Sequence, residues 1–295
     1  MKLSVIVPVF NMASDDKLKW CMDSLVGQTI SDYEIIAVDD CSTDDSLSIL
    51  QNYEKLLNKA EETGADMVGC DYHLTPEHSM KIGQIVHNNT PEQAGVLNEE
   101  KYRSLILDGG SLVVKIYRRH IIFDYPNRFP EGIFYEDNAI GNSWMLRAKH
   151  FEYLQEPLYY YYQHGASTVH TITKKRCEDR MEAARIMVKE AKEFQFFDTY
   201  YPELESSFTT LFYVNTLFSY LAGSGRKEYR FIKALGNEMR STFPDFQQNK
   251  YYEQRVHAEE RRLIAMQQKS TLYFMIYYKV LWTYRKLRKR LAAQK

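Results

Sequence analysis

Two short apolar runs and a helical pattern between them open the chain. Residues 3–10 are almost continuously apolar and rich in β-branched side chains, which is typical of a strand buried on both faces of a parallel sheet. A second run covers residues 35–38. Between the runs, one helix face is formed by Leu18, Cys21, Leu25 and Val26. The pattern predicts a strand–helix–strand unit whose two parallel strands end at the same edge of the sheet.

Polar residues follow each of these strands. Asn11 comes after the first strand, and the second is followed by Asp39, Asp40, Ser42, Thr43 and Asp44. Open α/β sheets bind ligands outside the carboxyl ends of their strands. A carboxylate there can accept hydrogen bonds from a base or a ribose, and the ring of Phe10 can stack on a base. The alternative is helix capping by Ser42 and Asp45, which form a capping-box pattern but leave Asp39 and Asp40 unexplained.

Further along, the pattern predicts a regular succession of elements. We expect a helix from about Leu47 to Ala60 that Gly64 ends, a strand at 65–70, a short strand at 81–86 and a helix capped by Asn98. Four consecutive tyrosines, Tyr159 to Tyr162, favour another strand. Three basic residues between these elements face either a diphosphate or solvent: Lys115, Arg118 and Arg119.

A second candidate site is the pair Glu136 and Asp137, at the start of a predicted helix that extends to Arg147. A carboxylate in this place can simply satisfy free N–H groups and the helix dipole. It can also act as a general base that takes the proton of an attacking hydroxyl. The residues alone leave both interpretations open.

Three segments in order resemble the opening of family 2 glycosyltransferases: SVIVPVFN, SLVGQT and DYEIIAVDDCSTDDS. The later segments FPEGIFYEDNAI and YYYYQHGAST are also similar to the family, so the resemblance covers roughly the first 170 residues. It implies an α/β fold of the GT-A type, which is Rossmann-like, with a mainly parallel sheet flanked by helices. It also implies transfer of a sugar from a nucleotide-sugar, most commonly a UDP-sugar.

The resemblance implies a role for each candidate residue. The nucleotide pocket would be lined by Pro8, Phe10 and Asn11, with Asp40 on a uracil-type base and Asp39 beside it. Asp137 would be the general base of an inverting transfer, and Glu136 would orient the substrate. His164 matches a loop that closes over the diphosphate, where a histidine can be a metal ligand, although a lone histidine is more often structural.

One part of the family pattern is absent. Family members continue after the helix at Ser46 into further strands and an acidic D-x-D motif, whereas here QNY at 51–53 runs directly into EKLLNKAEE, and no two aspartates have D-x-D spacing. The missing part is at least one βαβ unit, on the order of 30 residues. The family's Mn²⁺ or Mg²⁺ would lose its main anchor, which puts catalysis in doubt, and the sheet would lose strands beside the first one.

The chain becomes helical after Lys174, so we expect a glycosyltransferase-like domain at 1–172 and a helical region at 173–295. The last segment combines apolar and aromatic residues with Arg285, Lys286, Arg288, Lys289 and Arg290. This composition suits either a helix on an anionic membrane surface or a helix docked on the protein with a solvated basic tail.

Composition narrows the function classes. With 38 basic and 39 acidic residues, the net charge of -1 gives no reason to expect a nucleic-acid partner. Four scattered cysteines and the absence of an export signal favour a cytoplasmic protein, and the basic C-terminal segment adds a peripheral location on the inner face of the membrane as an alternative. We expect a nucleotide-sugar donor and a glycan or lipid-linked acceptor. Two alternatives are an inactive nucleotide- or glycan-binding protein and a peripheral membrane scaffold.

Overall fold

The structure, a computed structural model, describes residues 3–26, 33–75, 84–126, 128–162, 172–223 and 225–292. It divides into two compact units. Unit 1 comprises Met1–Arg128 and Trp144–Ser167, and unit 2 comprises Phe129–Ser143 and Thr168–Lys295. The fold is a mixed α/β structure with a helical C-terminal region, as the sequence predicts.

In the described part of the chain, the strands all belong to unit 1, whereas helices occur in both units. The strands are β1 Leu3–Val9, β2 Tyr33–Asp39, β3 Met67–Thr75, β4 Gln84–Val86, β5 Gly95–Val96, β6 Lys115–Tyr117 and β7 His150–Tyr162. The helices are α1 Lys17–Val26, α2 Ser46–Thr63, α3 Glu99–Asp108, α4 Arg119–Phe123, α5 Glu136–Arg147, α6 Lys174–Glu193, α7 Tyr201–Phe208, α8 Asn215–Ala222, α9 Tyr229–Thr242, α10 Tyr252–Arg255, α11 Ala258–Lys269 and α12 Thr271–Ala292. A π-helical turn at Thr209–Val214 joins α7 to α8.

The predicted strand–helix–strand unit is confirmed. β1 and β2 pair in parallel, with Leu3 opposite Tyr33 and Val9 opposite Asp39. α1 and α2 cover one face of this pair, where a small core forms around Val9, Leu18 and Met22. α2 ends where predicted, because Gly64 adopts the left-handed conformation at φ 70° that glycine tolerates best.

The strands of unit 1 form two separate sheets rather than one. β1 and β2 make a two-stranded sheet, whereas β4, β3, β7 and β5 make a second sheet in that order, with β6 also paired to β3. The longest pairing of the second sheet, β3 with β7, is parallel. Among the described residues, no strand links the two sheets, as expected if the strands of a missing segment would otherwise lie between them.

The prediction that the first strands are buried on both faces is wrong. Ile6 is 67% exposed, Ile36 41% and Val38 50%. These residues share the face of the β1–β2 sheet opposite the helices, because alternate side chains of a strand point to opposite faces and Ile6 pairs with Ile36. The strands are apolar on both faces, but among the described residues only the helix-facing side is covered. We call Ile6, Pro8, Ile36 and Val38 the bare face.

A cavity of about 240 Å³ lies elsewhere in unit 1. Its apolar wall consists of Val26, Leu57, Ile116, Tyr117, Ile122 and Phe123. At its polar side, the phenol of Tyr53 donates a 2.6 Å hydrogen bond to Asp23. Its position between α1, α2 and the β6–α4 segment indicates that these elements pack together incompletely.

The core of unit 2 is built by the helices from α6 to α12. Phe208 and Phe212 stack with ring centroids 4.6 Å apart, and Phe243 packs against Phe208 at 5.1 Å. Phe274 of α12 is fully buried in the same core. Within the described ranges, no helix combines the length and apolar character needed to cross a bilayer.

Candidate functional site

The loops after β1 and β2 are held together by the side chain of Asn11. Its Oδ1 accepts hydrogen bonds from the Thr43 N–H at 2.8 Å, the Thr43 hydroxyl at 3.3 Å and the Asp44 N–H at 3.3 Å. The N–H of Asn11 in turn donates to Ser42 Oγ at 3.0 Å. Asn11 therefore fastens the two loops, in addition to lying at the edge where the nucleotide pocket was predicted.

The same loops contain two residues in the left-handed backbone region. Asn11 has φ 52° and Cys41 has φ 58°. Asparagine adopts this conformation readily, whereas cysteine does so at a cost. Such backbone outliers persist where surrounding contacts over-determine them, which is common at binding sites. Here the hydrogen bonds of Asn11 and Ser42 supply those contacts.

Helix capping in this region differs from the prediction. Ser42 accepts from Asn11 rather than capping α2, and Asp45 occupies the N-cap position without a side-chain capping bond. Asp44 takes over this role: its carboxylate accepts from the Ser46 N–H at 3.0 Å and from the Ala13 N–H at 3.0 Å. Desolvation raises the pKa of Asp44, but its bonds with Ser46 and Ala13 outweigh this and hold that pKa below its usual value.

Asp39 and Asp40 have different environments, although they are adjacent. Asp39 Oδ2 accepts from the Ser42 N–H at 3.2 Å, and its Oδ1 is buried without a hydrogen-bond partner among the described residues. Asp40 is exposed, and its backbone N–H donates to the carbonyl of Val9 at 2.8 Å. That bond continues the β1–β2 register by one step and places Asp40 next to Phe10, whose side chain is 57% exposed.

The predicted nucleotide residues are therefore brought together at one edge. Pro8, Phe10 and Asp40 are exposed there, and Asp39 and Asn11 fix the loops behind them. An exposed aromatic ring beside a carboxylate can stack on a base and accept a hydrogen bond from its N–H groups. The arrangement is suited to a nucleobase.

Of the three basic residues predicted to face diphosphate or solvent, Arg118 and Arg119 are exposed, whereas Lys115 is placed otherwise. Lys115 is buried, and its ammonium donates to the carbonyls of Gly109 at 2.7 Å and Ser111 at 2.8 Å. Burial lowers the pKa of Lys115 to about 7. Arg118 donates to the carbonyl of Ala65, and Arg119 lies over the ring of Phe123. Both predicted roles are wrong for Lys115, which is a buried structural lysine.

Asp137 lies in the first turn of α5, within unit 2. Its Oδ1 accepts from the backbone N–H of Asn138 at 2.8 Å and from the side-chain amide of Asn138 at 2.7 Å. Glu136 is exposed beside it. Ile140, Trp144 and Met145 are buried, as predicted. Asp137 thus has a helix-start position that fits both interpretations drawn from the sequence.

A contact that the sequence did not reveal supports the segment before Asp137. Tyr135 has φ 70°, an unusual conformation for a large side chain. Arg180 of α6 donates a hydrogen bond to its phenolic oxygen at 2.6 Å and lies 4.5 Å from the ring centroid. The two residues are 45 positions apart, so no local pattern connects them.

Within the described ranges, the residues available for the implied Mn²⁺ or Mg²⁺ do not fit that ion. Hard divalent cations need several oxygen ligands, usually with carboxylates among them. The described part of the chain contains no group of three or more His, Cys, Asp or Glu side chains arranged to hold a metal, and the sequence has no D-x-D. His164 lies outside the described residues.

Comparison with known proteins identifies relatives of the N-terminal part. Residues 4–62 match the family model described as "Glycosyl transferase family 2". The chain is 56% identical over 57 residues to the poly(ribitol-phosphate) beta-glucosyltransferase of Bacillus spizizenii, which is 19% of this chain and 9% of that protein. It is 24% identical over 217 residues to the uncharacterized glycosyltransferase YibD of Escherichia coli, which is 56% of this chain and 62% of that protein. The chain therefore spans less than two thirds of either relative.

Solved structures resemble the chain over most of its length. The crystal structure of Staphylococcus aureus TarS 1-349 has a TM-score of 0.54 at 19% identity and covers 97% of this chain and 92% of that one. The same TarS segment in complex with UDP has a TM-score of 0.51. At this identity the likeness concerns the fold, which is of the GT-A type.

The alignment with YibD also includes positions that have no counterpart in this chain. It extends over 217 positions but uses 56% of the 295 residues of this chain, which is about 165 residues. In total, about 50 positions of the alignment are therefore unmatched here.

Proposed function

We propose that this chain, whose residues 4–62 match the model of glycosyl transferase family 2, binds a nucleotide-sugar, of the UDP type, at the carboxyl edge of β1 and β2. One observation carries the proposal: the Asn11 side chain fastens the two loops and leaves Phe10 and Asp40 exposed side by side. The TarS segment of the same fold, crystallised with UDP, supports a uridine nucleotide as the ligand.

In this site, Phe10 would stack on the base, and Asp40 would accept hydrogen bonds from its N–H group. Pro8 closes the apolar side of the pocket and donates no hydrogen bond, because proline has no N–H. Asp39 would hold the loop through Ser42 rather than contact the base directly. The base side of the nucleotide is thus the part of the donor that these residues are suited to bind.

The reaction we propose is transfer of the sugar to a hydroxyl group of a polysaccharide or glycoconjugate, with inversion. Asp137 would take the proton of that hydroxyl as it attacks the anomeric carbon, and Glu136 would orient the acceptor. A carboxylate has about four acceptor positions, so the two bonds from Asn138 leave room for a substrate hydroxyl. The poly(ribitol-phosphate) glycosyltransferases among the relatives support a polymeric acceptor.

A second candidate function is nucleotide binding without transfer. It is favoured by the separation of the two sheets, by the bare face and by the total of about 50 unmatched positions in the alignment with YibD. In this case the chain would keep the base-binding loops and lack the part that stabilises the leaving diphosphate. Removal of one preorganised charge-stabilising group commonly costs about 10²–10³ in rate.

An assay of UDP release and UDP binding separates the two candidates. The full chain is incubated with UDP-glucose or UDP-N-acetylglucosamine, with the Asp137→Asn variant beside it and Asp198→Asn, an exposed aspartate of unit 2, as the matched control. For a transferase, Asp137→Asn should reduce release by about 10²–10⁴ with unchanged UDP affinity, and Asp198→Asn should change neither. UDP binding without release would establish the second candidate, and neither binding nor release by the folded chain would reject both.

A further inference from the structure

α12 has two apolar faces, and among the described residues only one of them packs against the rest of the protein. Phe274 is buried in the core of unit 2, and Met275 and Tyr278 pack against that core. Trp282 stacks on Tyr278 with ring centroids 5.9 Å apart, and Arg285 is paired with Glu259 of α11 at 2.6 Å. These contacts anchor the inner face of α12 on the helical unit.

The opposite face is an exposed apolar stripe. Its members are Tyr273, Ile276, Val280, Tyr284 and Leu287, each more than half exposed. At 3.6 residues per turn these side chains fall within an arc of about 80° and extend over about 21 Å of the helix. We call them the outer stripe. Isolated apolar side chains are normal on a surface, but a continuous stripe marks a site of interaction.

The charges around the outer stripe indicate what covers it. Lys279 and Lys286 project on one side of the stripe and Arg288 on the other, as their helical spacing requires. All three are exposed. From Thr271 to Lys295 the sequence contains no aspartate or glutamate. An apolar face bordered by basic residues only is complementary to a surface that is apolar inside and anionic outside.

A bilayer that contains anionic lipids has this structure. Amphipathic helices rich in Lys and Arg lie in the membrane interface with their apolar face inserted, and tyrosine side chains favour the level of the headgroups. We propose that the outer stripe of α12 inserts into the interface of an anionic membrane, while the inner face keeps unit 2 attached to the helix. This inference goes beyond the proposed function and is independent of nucleotide binding.

Vesicle sedimentation with the full chain tests the proposal. The probes are vesicles of phosphatidylcholine with phosphatidylglycerol and vesicles of phosphatidylcholine alone, at low and high salt. We expect binding to the anionic vesicles that weakens with salt, and much weaker binding to the neutral ones. Each basic residue near the surface should contribute about fivefold to the partition coefficient. The triple variant Lys279→Gln, Lys286→Gln, Arg288→Gln should lose most of the preference for anionic vesicles.

Two further variants separate insertion from general charge attraction. The double variant Ile276→Gln, Val280→Gln removes apolar side chains without changing the charge and should reduce binding at least tenfold, while circular dichroism and thermal unfolding remain unchanged because both side chains are exposed. Val96→Gln, at another exposed apolar residue (72% exposed), is the control and should bind as the unmodified chain does. Equal binding to both vesicle types, or full binding by Ile276→Gln, Val280→Gln, would overturn the proposal. So would an absence of vesicle binding together with self-association that this double variant abolishes, since the stripe would then be a protein contact.

Discussion

Arg180 donates a 2.6 Å hydrogen bond to the phenolic oxygen of Tyr135, two residues before the candidate base Asp137. The other terminal nitrogen of Arg180 donates to the carbonyl of Asn215 and the hydroxyl of Ser219 in α8. The guanidinium of Arg180 thus connects Tyr135, the left-handed residue before α5, to α6 and α8. The position of the α5 N-terminus depends on this contact.

The first prediction concerns the free energy of unfolding of unit 2. Because the hydrogen bond involves a charged donor, a double-mutant cycle with Arg180→Met and Tyr135→Phe should give a coupling energy of about 1–2 kcal/mol, measured by chemical denaturation. Arg176→Met is the control, since Arg176 lies over the ring of Phe134 instead; its effect should add to that of Tyr135→Phe. Strict additivity of Arg180→Met and Tyr135→Phe would contradict the predicted coupling.

The second prediction concerns the bare face of the β1–β2 sheet. Ile6→Thr combined with Ile36→Thr should leave the free energy of unfolding within about 0.5 kcal/mol, because both side chains are already exposed. The same change should reduce self-association in sedimentation velocity and the binding of a hydrophobic dye, since exposed apolar strands promote association. The matched control is Ile35→Thr on the helix-facing side, which should be destabilising. A similar loss of stability in both variants would show that the bare face is covered.

The third prediction concerns the pH dependence of stability. In the folded chain the pKa of Lys115 is lowered from 10.5 to about 7, so between these values the unfolded chain binds more protons. Stability therefore rises with pH in this window, and the cost of burying the charge is fully present below about pH 7. Lys115→Met should remove that cost. In this variant the carbonyl of Gly109 still accepts a hydrogen bond from the side-chain amide of Asn89, and the carbonyl of Ser111 still accepts one from the side-chain amide of Asn88.

Denaturation at several pH values checks this prediction. The stability of Lys115→Met relative to the unmodified chain should be highest at about pH 6 and should fall by about 2–3 kcal/mol between about pH 7 and 9. Lys149→Met is the control, because Lys149 is exposed; its relative stability should stay constant over the same range. A pH-independent difference for Lys115→Met would show that Lys115 keeps its ordinary pKa.

Much of the fold could be predicted from the sequence, because local signals determine where elements begin and end. Two continuous apolar runs and the helical spacing between them predicted β1, β2 and α1. Two capping residues predicted the end of α2 and the start of α3: Gly64 is left-handed, and Asn98 accepts from the Lys101 N–H at 3.0 Å. The exposure of Ile6 and Ile36 could not be predicted in this way. An apolar strand has the same sequence whether its second face is covered or bare, and that depends on neighbouring strands.

The sequence predicted which residues lie at the candidate site, but it did not predict the hydrogen bonds that they form. The strand ends placed Asn11, Asp39 and Asp40 at one edge, because parallel strands finish together. The role of Asn11 as the fastener of both loops depends on a left-handed backbone and on partners more than 30 residues away. The contact of Arg180 with Tyr135 and the burial of Lys115 could not be predicted for a related reason. Long-range contacts decide whether a basic residue faces solvent.

Calorimetric titration of UDP into the full chain, with and without Mn²⁺, tests the central proposal that the chain has the base-binding part of a site like that of family 2 glycosyltransferases, without the metal-binding part. We predict that UDP binds with the same affinity under both conditions. Asp40→Asn or Phe10→Ala should weaken binding about tenfold or more, whereas Asp45→Asn, whose side chain makes no capping bond, should not. No binding by the folded chain would contradict the nucleotide site, and a tenfold gain in affinity with Mn²⁺ would contradict the loss of the metal site.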